Sequence, residues 1–146
     1  TDEEWEYVCR EKTSSKYSFG ESLELLDEYS WHALNSNGRT WPVRSKLPNR
    51  LGMFEMHGNA WEWCNGKFES ERQRRRREVI SVKSNRLARG GGASEHPSNV
   101  HSAARGTYRL DFRVHWISFR PARTLPRSAT AYTTALELKR LPLVIF

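Results

Sequence analysis

Two cysteines and five histidines are the side chains of this chain best suited to metal or redox chemistry, and their spacing limits what they can do. A thiolate pair suits a soft ion such as Cu(I). Nothing in the sequence brings Cys9 and Cys64 together, however, and a free buried cysteine behaves as a small hydrophobe. Two cysteines are too few to staple a small domain with disulfides, and they leave the redox compartment open. His32, His57, His96, His101 and His115 include no pair at i, i+4 with a glutamate between, so the helical zinc-hydrolase arrangement is absent. No serine–histidine–acid constellation can be assigned. The run Arg72-Gln73-Arg74-Arg75-Arg76-Arg77 has chemical reach of another kind, because guanidinium forks suit phosphate oxygens.

That run also explains the charge. The chain has 146 residues with a net charge of +7, and the asymmetry along it is large. Residues 1–66 carry 7 basic and 11 acidic side chains, residues 67–146 carry 17 and 6. Packed arginines repel one another, so residues 72–77 read as a solvated surface loop. A nucleic-acid interface is not expected: no aromatic side chain interleaves with the arginines to form a stacking platform, and no recognition motif accompanies them. No apolar run reaches the ~20 residues of a membrane span, and no signal-peptide pattern opens the chain, so the sequence assigns no compartment.

The elements that must hold these residues are short. Thr1 with Glu4 three residues on forms a capping box, and Trp5, Val8 and Cys9 share one face of the helix that follows. Tyr17 and Phe19 alternate as in a short strand, and residues 22–31 are too mixed to assign. Asn37-Gly38 marks a tight turn, and Pro42 and Pro48 bracket a non-helical segment. Trp61-Glu62-Trp63 alternates with strand period. Gly90-Gly91-Gly92 lets the backbone turn or approach another segment closely. Phe112, Val114 and Trp116 alternate ahead of Phe119-Arg120-Pro121, which reads as a closing strand. The sum is many short strands, few helices and much loop.

Leu51-Gly52-Met53-Phe54-Glu55-Met56-His57-Gly58-Asn59-Ala60-Trp61-Glu62-Trp63-Cys64 carries a specific resemblance. It is similar to the glycine–leucine–tyrosine–aspartate–methionine–histidine–glycine–asparagine–valine–tryptophan–glutamate–tryptophan signature of the formylglycine-generating enzyme family, the sulfatase-modifying factor domain. Thr1 to Arg10, Tyr17 to Gly20, Pro42-Val43, Leu47 to Asn49, Arg89 to Gly92, Ser102 to Arg105 and Phe119-Arg120 resemble further blocks of that family, in its order. Asn59, Trp61, Trp63, Arg89, Gly90, Gly91, Arg105 and Arg120 are the signature positions this implies. The resemblance implies a C-type-lectin-like α+β fold with little regular secondary structure. It places Thr1 near the middle of the family domain, so residues 1–123 read as its C-terminal part and residues 124–146 as a tail of unknown role.

Family members that oxidise a sulfatase cysteine to formylglycine bind Cu(I) through two cysteines shortly after the arginine–glycine–glycine motif. An ungapped count from Arg89 puts Glu95 and Val100 at those positions, and neither ligates Cu(I). The expectation is a degenerate or non-catalytic member with no catalytic residue of its own, a lectin-like module for a protein or peptide ligand. The alternative is an active oxygen-using oxidase whose site is completed by a preceding half. The motif's serine and tryptophan are replaced by Gly92 and Ala93, which points to degeneracy. The resemblance also implies a calcium site built from the Glu55 and Glu62 carboxylates and the Gly58 and Ala60 carbonyls, an oxygen set of the type calcium takes. The alternative there is that Glu62 is hydrogen-bonded beneath the tryptophans. A second calcium site, near Tyr29, Ser30, Asn35 and Asn37, is read as degraded by Tyr29.

Overall fold

The computed structural model describes residues 1–67 and 85–122. The arginine run 72–77 and the tail 124–146 lie outside the described residues. Helix α1 (Asp2–Arg10) is capped as expected: the Thr1 hydroxyl accepts from the Glu4 N–H, and the Glu4 side chain reaches back to the N-cap. Glu11 ends it in the left-handed conformation. Residues 22–31, unassigned from sequence, fold as a 3₁₀ turn (Leu23–Leu25), the short helix α2 (Leu26–Tyr29) and strand β1 (Ser30–Trp31). Tyr17 and Phe19 form no strand. A single bridge joins Tyr17 to Gly20, which puts the two rings on the same side and stacks them at 5.0 Å.

Strand β1 pairs in parallel with β2 (His57–Gly58). A second sheet runs in the order β5-β4-β3-β6, from β3 (Trp61–Lys67), β4 (Asn85–Arg89), β5 (Arg105–Arg109) and β6 (Ile117–Phe119). β4 is antiparallel to both β3 and β5, and β6 is parallel to β3 with Trp61 opposite Ile117. The closing strand is therefore shorter than its sequence pattern suggests. Phe112, Val114 and Trp116 lie in the loop before β6, and their alternation is no strand. Phe112 and Trp116 instead fold back onto Tyr108, at 5.9 and 5.4 Å between centroids. Aromatic packing outweighs the pleat there.

Alternation along β3 separates the two faces of this sheet. Cys64 faces α1 and joins Trp5, Cys9, Met56 and Leu87 in one apolar cluster. Trp61 faces the other way and packs with Ala88 and Ala104. A third cluster, Tyr17, Leu26 and Val100, lies under the turn-rich segments. Polar contacts complete the docking of α1. Glu6 receives Arg10 at 2.7 Å, Arg105 at 3.0 Å and the fully buried Arg89. Arg89 also donates to the Ala104 carbonyl at 2.8 Å.

Candidate functional site

The signature turn is laced to distant segments by main-chain hydrogen bonds. The Gly58 N–H donates to the Gly90 carbonyl, the Asn59 N–H to that of Trp31 and the Ala93 N–H to that of Asn59, each at 2.8 Å. Asn59 adds a reciprocal pair with Trp41, accepting from its N–H at 2.8 Å and donating to its carbonyl at 3.1 Å. Glycine is required at one of these joints and at one position beside them. Gly58 has φ +73°, and a Cβ there would sit 2.1 Å from the Trp31 carbonyl oxygen. At Gly91, with φ +83°, a Cβ would sit 2.7 Å from Val100 Cγ1.

His57 is buried inside this lacing. Its Nδ1 lies 2.9 Å from the Val100 carbonyl, which can only accept, so Nδ1 carries the proton. Nε2 is then the acceptor, and it receives the Ser18 N–H at 3.1 Å, with the Ser18 hydroxyl at 3.0 Å. Burial drives the histidine pKa down to about 4. A neutral imidazole with both nitrogens engaged is a structural strut.

Glu62 is the best-satisfied carboxylate of the turn. Oε2 accepts from Trp5 Nε1 at 2.7 Å and Arg120 Nε at 2.9 Å, and Oε1 accepts from Arg120 Nη2 at 2.6 Å. Arg120 Nη2 also donates to the Phe54 carbonyl at 2.9 Å. Glu55, in contrast, is 6% exposed and its Oε1 has no partner. Burial raises its carboxyl pKa, opposed by the backbone N–H groups of Arg44, Ser45 and Lys46. The residues expected to hold calcium therefore divide. Glu55 has an oxygen to offer, whereas Glu62 is neutralised by a guanidinium that a cation would have to displace. In this arrangement Glu62 is satisfied by protein donors, and Glu55 Oε1 is the unpartnered carboxylate oxygen of the set. Among the described residues no three His, Cys, Asp or Glu side chains converge into a metal-holding group.

At the second site, read from sequence as degraded, Asn35 Nδ2 donates to the Ser30 carbonyl and to Asp27, both at 3.0 Å. Asp27 also meets His32 Nε2 at 2.8 Å. Tyr29 stacks on Phe19 at 4.5 Å, and Asn37 forms the anticipated turn with Gly38, both at positive φ. The Glu95 carboxylate accepts from Trp61 Nε1 at 3.3 Å and from Asn99 Nδ2 at 3.5 Å. Val100 is fully buried against Tyr17 and Leu26. Cys9 and Cys64 share the α1 cluster, where burial pushes their thiols up to about 12 and about 11. The remaining signature residues serve packing: Trp63 meets the Tyr108 ring at 6.1 Å, and Arg105 reaches Asp2 and Glu6.

Two arrangements were missed by the sequence reading. Glu6 gathers three arginines, of which only the i, i+4 partner Arg10 is visible as a spacing. Trp31 and Trp41 stack at 4.4 Å under Lys46 and Arg39, and no sequence periodicity links those four positions.

The profile of the sulfatase-modifying factor enzyme 1-like domain matches residues 1–125. The chain belongs to the sulfatase-modifying factor family. It is 33% identical over an 82-residue alignment to the formylglycine-generating enzyme of Streptomyces coelicolor, with 47% of this chain and 26% of that enzyme covered. It is 30% identical over 79 residues to the formylglycine-generating enzyme of Mycobacterium tuberculosis, with the same shares. The alignments thus cover about a quarter of the length of these curated relatives. Among solved structures, Treponema denticola variable protein 1 superposes with a TM-score of 0.67 at 24% identity, over 82% of this chain and 44% of that one. PvdO from Pseudomonas aeruginosa gives 0.66 at 24% identity, over 82% and 49%. The sulfatase-modifying factor fold expected from the signature is therefore the fold found, mixed helix and sheet with little regular structure. No described helix of this family member is long and apolar enough to cross a membrane.

Proposed function

We propose that this sulfatase-modifying factor domain works as a binding module for a protein or peptide ligand and does not convert cysteine to formylglycine. The observation that carries the reading is the pair Glu95 and Val100, which stand where the family resemblance puts the copper thiolates. Glu95 offers hard oxygen, already engaged by Trp61 and Asn99. Val100 offers an isopropyl group in a closed apolar cluster. Cu(I) takes soft sulfur, and neither side chain supplies it. The two thiols the chain does have are held protonated by burial, the opposite of what a thiolate ligand requires. In the same reading Arg120, rather than a divalent cation, neutralises Glu62. Incubating the chain with a sulfatase-motif peptide, Cu(I) and oxygen tests the proposal. It expects no aldehyde, and a hydrazide-trapped aldehyde product overturns it.

A further inference from the structure

Two sets of basic side chains in the fold differ in what they meet. Arg10, Arg89, Arg105, Arg109 and Arg120 each meet a carboxylate. Arg39, Arg44 and Lys46 meet none among the described residues, and residues 30–54 hold four basic side chains and no acidic one. These three lie over aromatic rings instead: Arg39 at 4.1 Å from Trp41, Lys46 at 3.9 Å from Trp31 and Arg44 at 5.5 Å from Phe54. Trp31 and Trp41 are 10° from parallel with their inner faces in contact, so the two cations occupy the outer faces. Both indole N–H groups are engaged within the loop, Trp31 with Ser45 Oγ at 2.7 Å and Trp41 with the Ser36 carbonyl at 2.8 Å. The pair therefore presents only carbon and two cations. Val43 and Leu47 are exposed on the same loop, at 53% and 49%. Asp27, whose carbonyl Lys46 also contacts, has its carboxylate engaged by His32 and Asn35.

The geometry points to a docking surface for an acidic protein segment, whose carboxylates reach Arg39 and Lys46 while its apolar side chains settle on Val43 and Leu47. Charge complementarity selects an acidic partner, since no carboxylate of the loop answers its cations. A guanidinium centred over an indole keeps N–H groups available for a carboxylate. The exposed aliphatics select a peptide over a bare polyanion. The tryptophans leave no open face on which a nucleobase could stack, because each outer face is already covered.

This inference rests on the binding-module reading, and the two fail separately: aldehyde formation defeats that reading, and the following titration defeats the inference. A fluorescein-labelled peptide of alternating glutamate and leucine is titrated against the full chain by anisotropy, beside its glutamine–leucine copy and a thymidine oligonucleotide. The acidic peptide is expected to bind about tenfold more tightly than the glutamine copy, and Arg39→Gln with Lys46→Gln to remove that advantage. Replacing Arg74 to Arg77 with serine is expected to leave binding unchanged. Val43→Asp, which keeps every cation, is expected to weaken it, with an unaltered melting temperature confirming that each variant folds. Equal binding of the glutamine copy, equal binding of the oligonucleotide, or loss confined to the Arg74 to Arg77 variant overturns the proposal.

Discussion

Arg120 closes on Glu62 with two donors, Nε at 2.9 Å from Oε2 and Nη2 at 2.6 Å from Oε1, just beyond the parallel pairing of β3 with β6. Glu62 is 7% exposed, so the guanidinium and the Trp5 indole stand in for the water it has lost. Removing one member of such a pair leaves the other buried and uncompensated. Arg120→Met is expected to cost about 3–5 kcal/mol of unfolding free energy. Adding Glu62→Gln should recover a substantial part of it. Urea denaturation of the two single variants and the double variant measures the coupling; additive losses would mean that the pair is not the unit described.

Calcium gives a second test of the same contact. A ligand that binds only the folded state raises the melting temperature as its concentration exceeds its dissociation constant. With Glu62 held by Arg120, millimolar calcium or a chelator should leave the thermal midpoint of the native chain unchanged. A rise with calcium, reversed by chelator, would show that a cation displaces the arginine.

His57 sets an acid limit on stability. Its folded pKa, about 4, lies below the unfolded value near 6.5, so the unfolded chain binds the proton more readily between them. The stabilising contribution is complete above about pH 6.5 and declines as pH falls towards 4, by on the order of 3 kcal/mol in all. Glu6 acts in the same direction at lower pH: burial opposes its ionisation, but the Arg10 hydrogen bond and the Arg89 charge hold its carboxyl below the usual carboxylate range. Denaturant midpoints across pH 4–7 should fall as the solution is acidified. In His57→Gln the slope over that window should flatten, even though the variant starts less stable.

Gly58→Ala should be among the most damaging single changes. The added methyl meets a backbone oxygen, not a side chain that can rotate away, and the positive φ adds strain. Loss of the cooperative thermal transition, or a large drop in its midpoint, is the expected result. Gly38→Ala provides the contrast, because a methyl there meets no atom within 4 Å and only the turn conformation resists it.

Neither thiol should react while the chain is folded. Cys9 is fully buried and Cys64 nearly so, and both are held as thiols well above neutrality. Labelling with a disulfide reagent should be slow in buffer and become rapid for both groups on adding denaturant. Immediate modification of either one in buffer would contradict their placement under α1.

The parts legible from sequence were those fixed by local chemistry or by a dense motif. The capping box of α1 depends on Thr1 and Glu4 alone, and Asn37-Gly38 meets the turn's demand for positive φ by itself. The Trp61-Glu62-Trp63 alternation was readable because β3 is covered on both sides by different partners. Phe112, Val114 and Trp116 show the same alternation and are not a strand, since contacts with Tyr108 decide their course and period-2 spacing says nothing of those contacts. The candidate site was legible in its residues but not in its pairings. Glu62 could be named from the signature, whereas its partners Trp5 and Arg120 lie 57 and 58 positions away, where spacing carries no information.

The joints at Gly58, Asn59 and Ala93 are made by amide and carbonyl groups that every residue brings, with glycine needed only where a Cβ would collide. A frame tied in this way is largely indifferent to which side chains decorate it. Positions 95 and 100 can then hold a carboxylate and an isopropyl group while main-chain bonds such as Ala33 N–H to the Glu95 carbonyl fix the chain path around them. The main-chain frame thus leaves the side chains on its surface free to vary without moving the chain path.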